Sequence, residues 1–459
     1  MTKIYCARWV LPIVSVPVEW GAVVVEGTRI ACVGTRAEVT GKFPSAEVED
    51  LGEAAIMPGF VNCHTHLELT ALRGFLEPEE GDFFAWLRKV TVSRNERMSA
   101  DDLYASAAWG AIEAARAGVT CVGDASDSGA TTMRALRDAG LRAVVFQEAF
   151  GVDEREAATQ FEKARARIDS LRGGETALVT LGLSPHSPYT VAPPLLRMLA
   201  RLALDEGLPL MMHAAESAAE QSFMLEGNGP FAESYARRGV VFSSPRMTTV
   251  RHLAQTGILD ARPLLAHCVH VNEEDIRLLK EHGACVAHCP KSNAKLGHGR
   301  APLAALLDAG VRVGLGSDSV ASNNTCDLIE EARFAVLTSR AAGDTLASGR
   351  MIEAFDAMRI LTHGGAKALG LQVLTGALAE GHEADLVAVR LDAAHQTPNY
   401  EAATALVFSS SGSDVLMTVV AGREVFRDGR VTTIDEGEIH ARVLDIARRL
   451  GNVENALKD

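Results

Sequence analysis

Between residues 101 and 318 the chain repeats one pattern: a helical run, a glycine, and a short apolar run ending in polar side chains. Helices are predicted over 101–117, 131–139, 155–171, 193–206, 248–256, 273–282 and 302–309. Gly118, Gly140, Gly207, Gly257, Gly283 and Gly310 follow six of them as stop signals. The first helix opens behind Ser99 with Asp102 three residues on, a capping-box pattern. The apolar runs, from "VTCVGD" to "VRVGLGSD", read as strands, and with the run before His64 they number eight. Regular strand–helix alternation argues for a parallel sheet. Eight units over about 315 residues fit an α/β fold of the (β/α)8 TIM type. The alternative is an open doubly wound sheet, but its nucleotide fingerprint is missing. "GLGSDS" (314–319) is a near miss, with Ser319 in place of the third glycine. No helix is expected directly after it, so it reads as barrel strand eight.

The two chain ends differ from this middle. Residues 1–57 read as short strands and turns without a helix. Residues 58–372 form the barrel. Residues 373–459 turn β-rich again, with Asp428-Gly429 as a hairpin turn and a final helix at about 437–450. The ends are expected to pair into one small β-sandwich domain beside the barrel.

Polar residues collect where the barrel strands end. Strand one ends in "PGFVNCHTHLEL", with His64 and His66 one residue apart. Side chains at i and i+2 of a strand share a face, so two imidazoles converge there. Taken alone, the pair suits either a metal ion or a hydrogen-bonded turn. Strand four runs into His186, strand five ends at His213 with Glu216 three residues on, strand six at His267, and strand eight at Asp318. In barrels of this type, reacting groups sit on that rim, and the convergence favours metal. His64, His66, His213 and Asp318 make a shell of three imidazoles and one carboxylate, suited to one Zn²⁺, preferred over Fe²⁺. Such a metal lowers the pKa of a bound water toward ~7. Glu216 suits a proton shuttle, with capping of the next helix as its structural alternative. His267 can hold the attacking oxygen. His270 is expected to face a loop and His288 to lie inside the barrel. His252, His282, His298, His363, His382, His395 and His440 are expected in solvent, as are the acidic runs 77–82 and 272–275.

Composition narrows the partners. The net charge is −14, from 45 Lys+Arg against 59 Asp+Glu, which argues against a nucleic-acid or anionic-membrane partner. The eight cysteines are scattered, and "CVAHCP" (285–290) has no second pair to complete a structural zinc site. Buried, reduced thiols are expected. No apolar run reaches the ~18 residues of a membrane span. Pro12 and Pro17 interrupt the apolar N-terminus, and no small-x-small cleavage site follows. A cytoplasmic homo-oligomer is the expectation.

The motifs "PGFVNCHTH", "SPHSPYT", "HAAES", "AHCVH", "HCPKSNAKLGHG" and "GLGSDSVASNN" occur in an order that resembles the amidohydrolase superfamily, over nearly the whole chain. The branch most similar contains the methylthioadenosine/S-adenosylhomocysteine, aminodeoxyfutalosine, guanine and cytosine deaminases and the triazine hydrolases. The resemblance implies a single metal, because "TLGLSPH" lacks the lysine that binuclear relatives carry after strand four. It places His64, His66, His213 and Asp318 on the metal and Glu216 and His267 on the water. It also implies that His186 contacts the substrate ring, that Ser322 lies near the leaving group, and that Trp86 belongs to a lid segment. Methylthioadenosine deaminases hold the sugar with an acidic residue after the lid, a place taken here by Asn95 or Glu96.

The expected reaction is hydrolytic deamination of an aminated purine nucleoside or base. Asp318 takes the water's proton, and Glu216 carries protons to a ring nitrogen and to the departing ammonia. Hydrolysis of a C–Cl, C–S or amide bond in a heterocycle is the alternative, and a barrel that has lost catalysis and serves in assembly is a third.

Overall fold

Alternate residues along the barrel strands point to opposite sides, and this sets the two cores. In strand three (Arg142–Ala149), Val144 and Phe146 join the barrel interior, while Ala143 and Val145 pack outward. Strand two (Val119–Ser126) behaves alike past an irregularity at Thr120, with Cys121 and Ala125 inside and Val122 outside. The computed structural model describes residues 2–456.

Strands one (Phe60–Thr65) to four (Val179–Pro185) form one parallel sheet. Strands five (Met211–Ala214), six (Leu264–His267), seven (Cys285–His288) and eight (Arg312–Leu315) form another. A parallel bridge from Leu183 to Leu210 joins strands four and five. At the other seam, Asp318 N–H donates to His64 O (2.9 Å), which closes the ring into a barrel. The glycines of "GLGSD" serve this seam. A Cβ on Gly314 would lie 2.3 Å from Cys63 Sγ, and one on Gly316 2.8 Å from the His64 Cβ. Close approach, not phosphate binding, is what these glycines supply.

Several predicted helices stand as read, including Pro193–Glu206 and Glu273–His282, each closed by a left-handed glycine. The Ser99/Asp102 capping box opens Ala100–Arg116. Two expectations are corrected. A helix does occur near the N-terminus, Arg36–Lys42, opened by a Thr35/Glu38 capping box. A short helix, Val320–Asn323, also follows strand eight directly, with Ser319 Oγ accepting from Ala321 N–H (3.0 Å).

The two chain ends build a nine-stranded sheet outside the barrel. There Ala54–Pro58 pairs antiparallel with Leu386–Arg390. Leu386 and Ala388 face the sheet's own core with Tyr5, Val23 and Met417, while Val387 and Val389 face the barrel. Buried Arg142 of strand three donates to Asp385 (2.7 and 3.2 Å), tying the sheet to the barrel. The eight cysteines are buried and unbonded to one another. No helix among the described residues is long and apolar enough to cross a membrane.

Candidate active site

His64 ends strand one, and His66 lies just past it. Their ring centroids are 4.9 Å apart, and His213 at the end of strand five lies 4.9 Å from His64. His66 Nδ1 lies 2.9 Å from Ala125 O, and His213 Nδ1 lies 2.8 Å from His186 O. A carbonyl only accepts, so both Nδ1 atoms carry the proton. Both Nε2 atoms are then bare acceptors in the neutral ring, and they face each other at 3.1 Å. Two lone pairs that close repel unless a cation lies between them. His64 is fully buried, and among the described residues neither of its ring nitrogens has a hydrogen-bond partner.

Asp318 completes the set. Its Oδ1 lies 3.4 Å from His64 Nε2 and 3.6 Å from His66 Nε2. Its Oδ2 accepts from Ser292 Oγ (2.6 Å) and Ser322 Oγ (2.8 Å). Burial would raise this carboxyl, but His64, His267 and His66 outweigh it and hold it well below the usual range. Burial pulls His64 and His213 down to about 4 and His66 to about 3, so all three are neutral near pH 7, the form that ligates metal. Buried orphan nitrogens, opposed lone pairs and a free carboxylate oxygen fit a divalent cation.

Beside this cluster, His267 Nδ1 donates to Asn293 Oδ1 (2.9 Å), which leaves Nε2 facing Glu216 Oε1 at 3.6 Å. Burial raises Glu216, yet His267, His298 and His213 pull it down to about 2. Burial lowers His267, and Glu216 and Asp318 more than reverse that. Glu216 does not cap the following helix. Ser217 does, accepting from Glu220 N–H, while the Glu220 carboxylate accepts from Ala215 and Glu216 N–H. Ala215, His267, Cys268 and Asp318 all have positive φ, between 48 and 74°. Strained non-glycine backbone of this kind costs about 1–3 kcal/mol per residue and clusters at working sites.

These groups line a cavity of about 1190 Å³. His186 lies on its wall, 4.7 Å from the His213 ring, with Nδ1 near the Ser187 and Thr190 hydroxyls. Trp86 lines it from the helix Phe83–Arg97, and Asn95 lines it further along the same helix. Ser322 does not reach the cavity. It was expected near the leaving group, but it is fully buried behind Asp318 and donates to that carboxylate. His270 lies outside the lining, and His288 is buried in strand seven next to His267, which together with burial lowers it to about 3.

Three expectations are corrected. His298 is not in solvent. It is 7% exposed, with Nε2 3.4 Å from Glu216 Oε1. His252 is buried as well, which lowers it to about 4. The acidic run 272–275 is not wholly solvated, because Asp275 is 1% exposed and accepts from the Thr248 hydroxyl and Asn272 N–H. Two further residues escaped the sequence. Glu148, at the end of strand three, is 2% exposed, and its Oε1 has no hydrogen-bond partner among the described residues. Burial pushes it up to about 8, against the pull of Arg94. Arg94, from the same helix as Trp86, reaches Glu68 (3.3 Å), Asp127 (3.2 Å) and Glu148 (3.7 Å).

A sequence profile of the amidohydrolase family matches residues 55–425, and the chain belongs to that family. A protein of Pelotomaculum thermopropionicum named 5-methylthioadenosine/S-adenosylhomocysteine deaminase is 34% identical over 436 residues, 95% of each chain. The crystal structure of an adenosine deaminase from Xanthomonas campestris with bound zinc superposes with a TM-score of 0.84 at 26% identity, over 98% of each chain. A triazine hydrolase from Arthobacter aurescens shares the fold, with a TM-score of 0.84 at 24% identity over 97% of this chain and 99% of that one.

Proposed function

We propose that this protein is a metal-dependent hydrolytic deaminase that releases ammonia from an aminated purine nucleoside derivative. The observation that carries the reading is the pair of bare imidazole nitrogens of His66 and His213, 3.1 Å apart, beside an ionised Glu216. The deaminase names of relatives covering 95% of the chain support the reaction type. His64, His66, His213 and Asp318 would hold one divalent metal, zinc before iron. When bound, the metal supplies Lewis acidity and brings a water's pKa toward neutrality.

This chain's own groups then move the protons. Asp318 Oδ1 accepts a proton from the attacking water. His267 Nε2 steadies the oxygen added to the ring carbon. Glu216 takes one of the water's two protons and delivers it to a ring nitrogen, and the proton held by Asp318 passes through Glu216 to the amine, which leaves as ammonia while the carbon keeps the oxygen. Trp86, Phe150 and His186 wall the ring. The substrate's remainder meets Glu148, whose free Oε1 lies 3.9 Å from His186 Nε2. A sugar hydroxyl can accept from that imidazole and pair with that carboxyl group, which favours a nucleoside over a free base. The methylthioadenosine/S-adenosylhomocysteine and aminodeoxyfutalosine types both satisfy this. The eight unbonded buried thiols fit a reducing cytoplasm.

The test is an ammonia-release screen over adenosine, methylthioadenosine, S-adenosylhomocysteine, aminodeoxyfutalosine, guanine and cytosine, with a chlorotriazine arm read for chloride. Ammonia from a nucleoside with about one metal per chain is expected. Chloride release without ammonia from any purine overturns the reading, and two metals per chain overturn the single site.

A further inference from the structure

Residues 290–299 follow strand seven and lean on three groups of the site. Ser292 Oγ donates to Asp318, Asn293 Oδ1 accepts from His267, and His298 faces Glu216. The backbone explains how His298 gets there. Its N–H donates to Asn293 O (2.9 Å), folding the turn back on the helix Pro290–Lys295. Gly297 and Gly299 on either side have φ of +69 and +104°, conformations that L side chains rarely adopt. The His298 side chain is 4% exposed, and its Nε2 has no hydrogen bond of good geometry among the described residues. That atom faces Glu216 Oε1 at 3.4 Å, opposite His267 Nε2 at 3.6 Å on the same oxygen. The Tyr189 hydroxyl also lies near this carboxylate. His298 lies behind the cavity wall, whereas Phe83 of the same wall lines the cavity and meets the His298 ring edge-on at 4.4 Å.

We propose that His298 is a positioning residue for Glu216, holding Oε1 from behind the cavity wall so that the shuttle carboxylate keeps its reach to the ring nitrogen and the amine. His267 cannot do this alone, because its Nε2 also serves the attacking oxygen. Phe83 extends the contact to the helix Phe83–Arg97, so the covered cavity and the oriented carboxylate are parts of one packed unit. The inference rests on the shuttle role proposed above for Glu216.

The experiment compares His298→Leu, His298→Gln and His298→Asn for kcat, KM, metal content and melting temperature, on whichever substrate the screen identifies. A Gln amide nitrogen reaches the place of Nε2, and an Asn amide nitrogen reaches only that of Nδ1. A misplaced reacting group costs up to about 10²-fold. Leu and Asn should therefore lose about 10- to 100-fold in kcat, with KM and metal content unchanged, and Gln should recover most of the loss. In the double variant Glu216→Gln/His298→Leu, the second change should add nothing. Wild-type kcat in His298→Leu, equal loss in Gln and Asn, or loss that tracks metal content each overturns the proposal. If Leu does not fold, the Gln–Asn contrast decides alone. Near wild-type turnover in Glu216→Gln would sink the shuttle itself. Loss there with none in His298→Leu would sink only the role of His298.

Discussion

At the floor of the cavity, His64, His213, Glu216, His267 and Asp318 are all at most 6% exposed. Most are tied at two points, as Asp318 is by Ser292 and Ser322 on one oxygen and the imidazoles on the other. At the roof, Phe83 and Phe84 are half-buried and Arg88 and Asn95 exposed. The helix Phe83–Arg97 is held there by aromatic edges, Phe84 against Phe231 at 5.8 Å and Phe83 against His298, and by ion pairs of Arg94 and Lys89. The floor is fixed by directional bonds that tolerate no displacement. At the roof, ring contacts that do tolerate it share the work with those ion pairs. Changes in the floor should therefore fall on turnover, and changes in the roof on binding.

The contrast breaks hardest at His213. His213→Ala should lose its metal and at least about 10³-fold in activity together, whereas His270→Ala, three residues past His267 and outside the cavity, should keep both. Elemental analysis and turnover on the two proteins read this, and equal losses would mean the rim was misassigned. Glu216→Gln comes next. It should keep fold and metal and lose about 10²–10⁴-fold in kcat. Wild-type turnover there would remove proton transfer from the reaction.

The same contrast explains what could be read from the sequence. The helices with glycine stops, the paired histidines of strand one and the acid three residues past His213 are local patterns, and each lies where its residues suggest. Arg36–Lys42 was legible too, through its Thr35/Glu38 box, but a seven-residue helix carries little periodicity. His298 and Glu148 were not legible by pattern. Their partners, Glu216, Arg94 and His186, are distant in sequence, and only closing the barrel makes them neighbours. A usable signal existed for Glu148, because it is the polar residue at the C-terminal end of its strand, as His267 is of strand six. For His298 the signal was a histidine set between two glycines.

The roof yields smaller effects. Arg94→Met leaves Glu68 and Glu148, 1 and 2% exposed, without their shared cation. Breaking such a buried arrangement costs about 3–5 kcal/mol, lowered here by the partial exposure of Asp127. KM should rise with kcat less affected, and urea unfolding with initial-rate kinetics measures both. A fall in kcat alone would place Arg94 with the floor. Phe84→Ala should be mildest, raising KM by about threefold with kcat unchanged, as expected for roughly 0.5–1.5 kcal/mol of aromatic contact. A larger change in kcat than in KM would erase the distinction between floor and roof.

The hydrogen bond from Asp318 N–H to His64 O joins the first barrel strand to the last, and the proposed ligands straddle it. An unfolded chain cannot present that set, because His64 and Asp318 meet only after every intervening unit has been laid down. Whatever binds the closed ring and not the open chain shifts the folding equilibrium by mass action, by RT ln(1 + [L]/Kd). On the proposed ligand set, the resistance of this barrel to unfolding is set jointly by its sequence and by the free metal concentration around it.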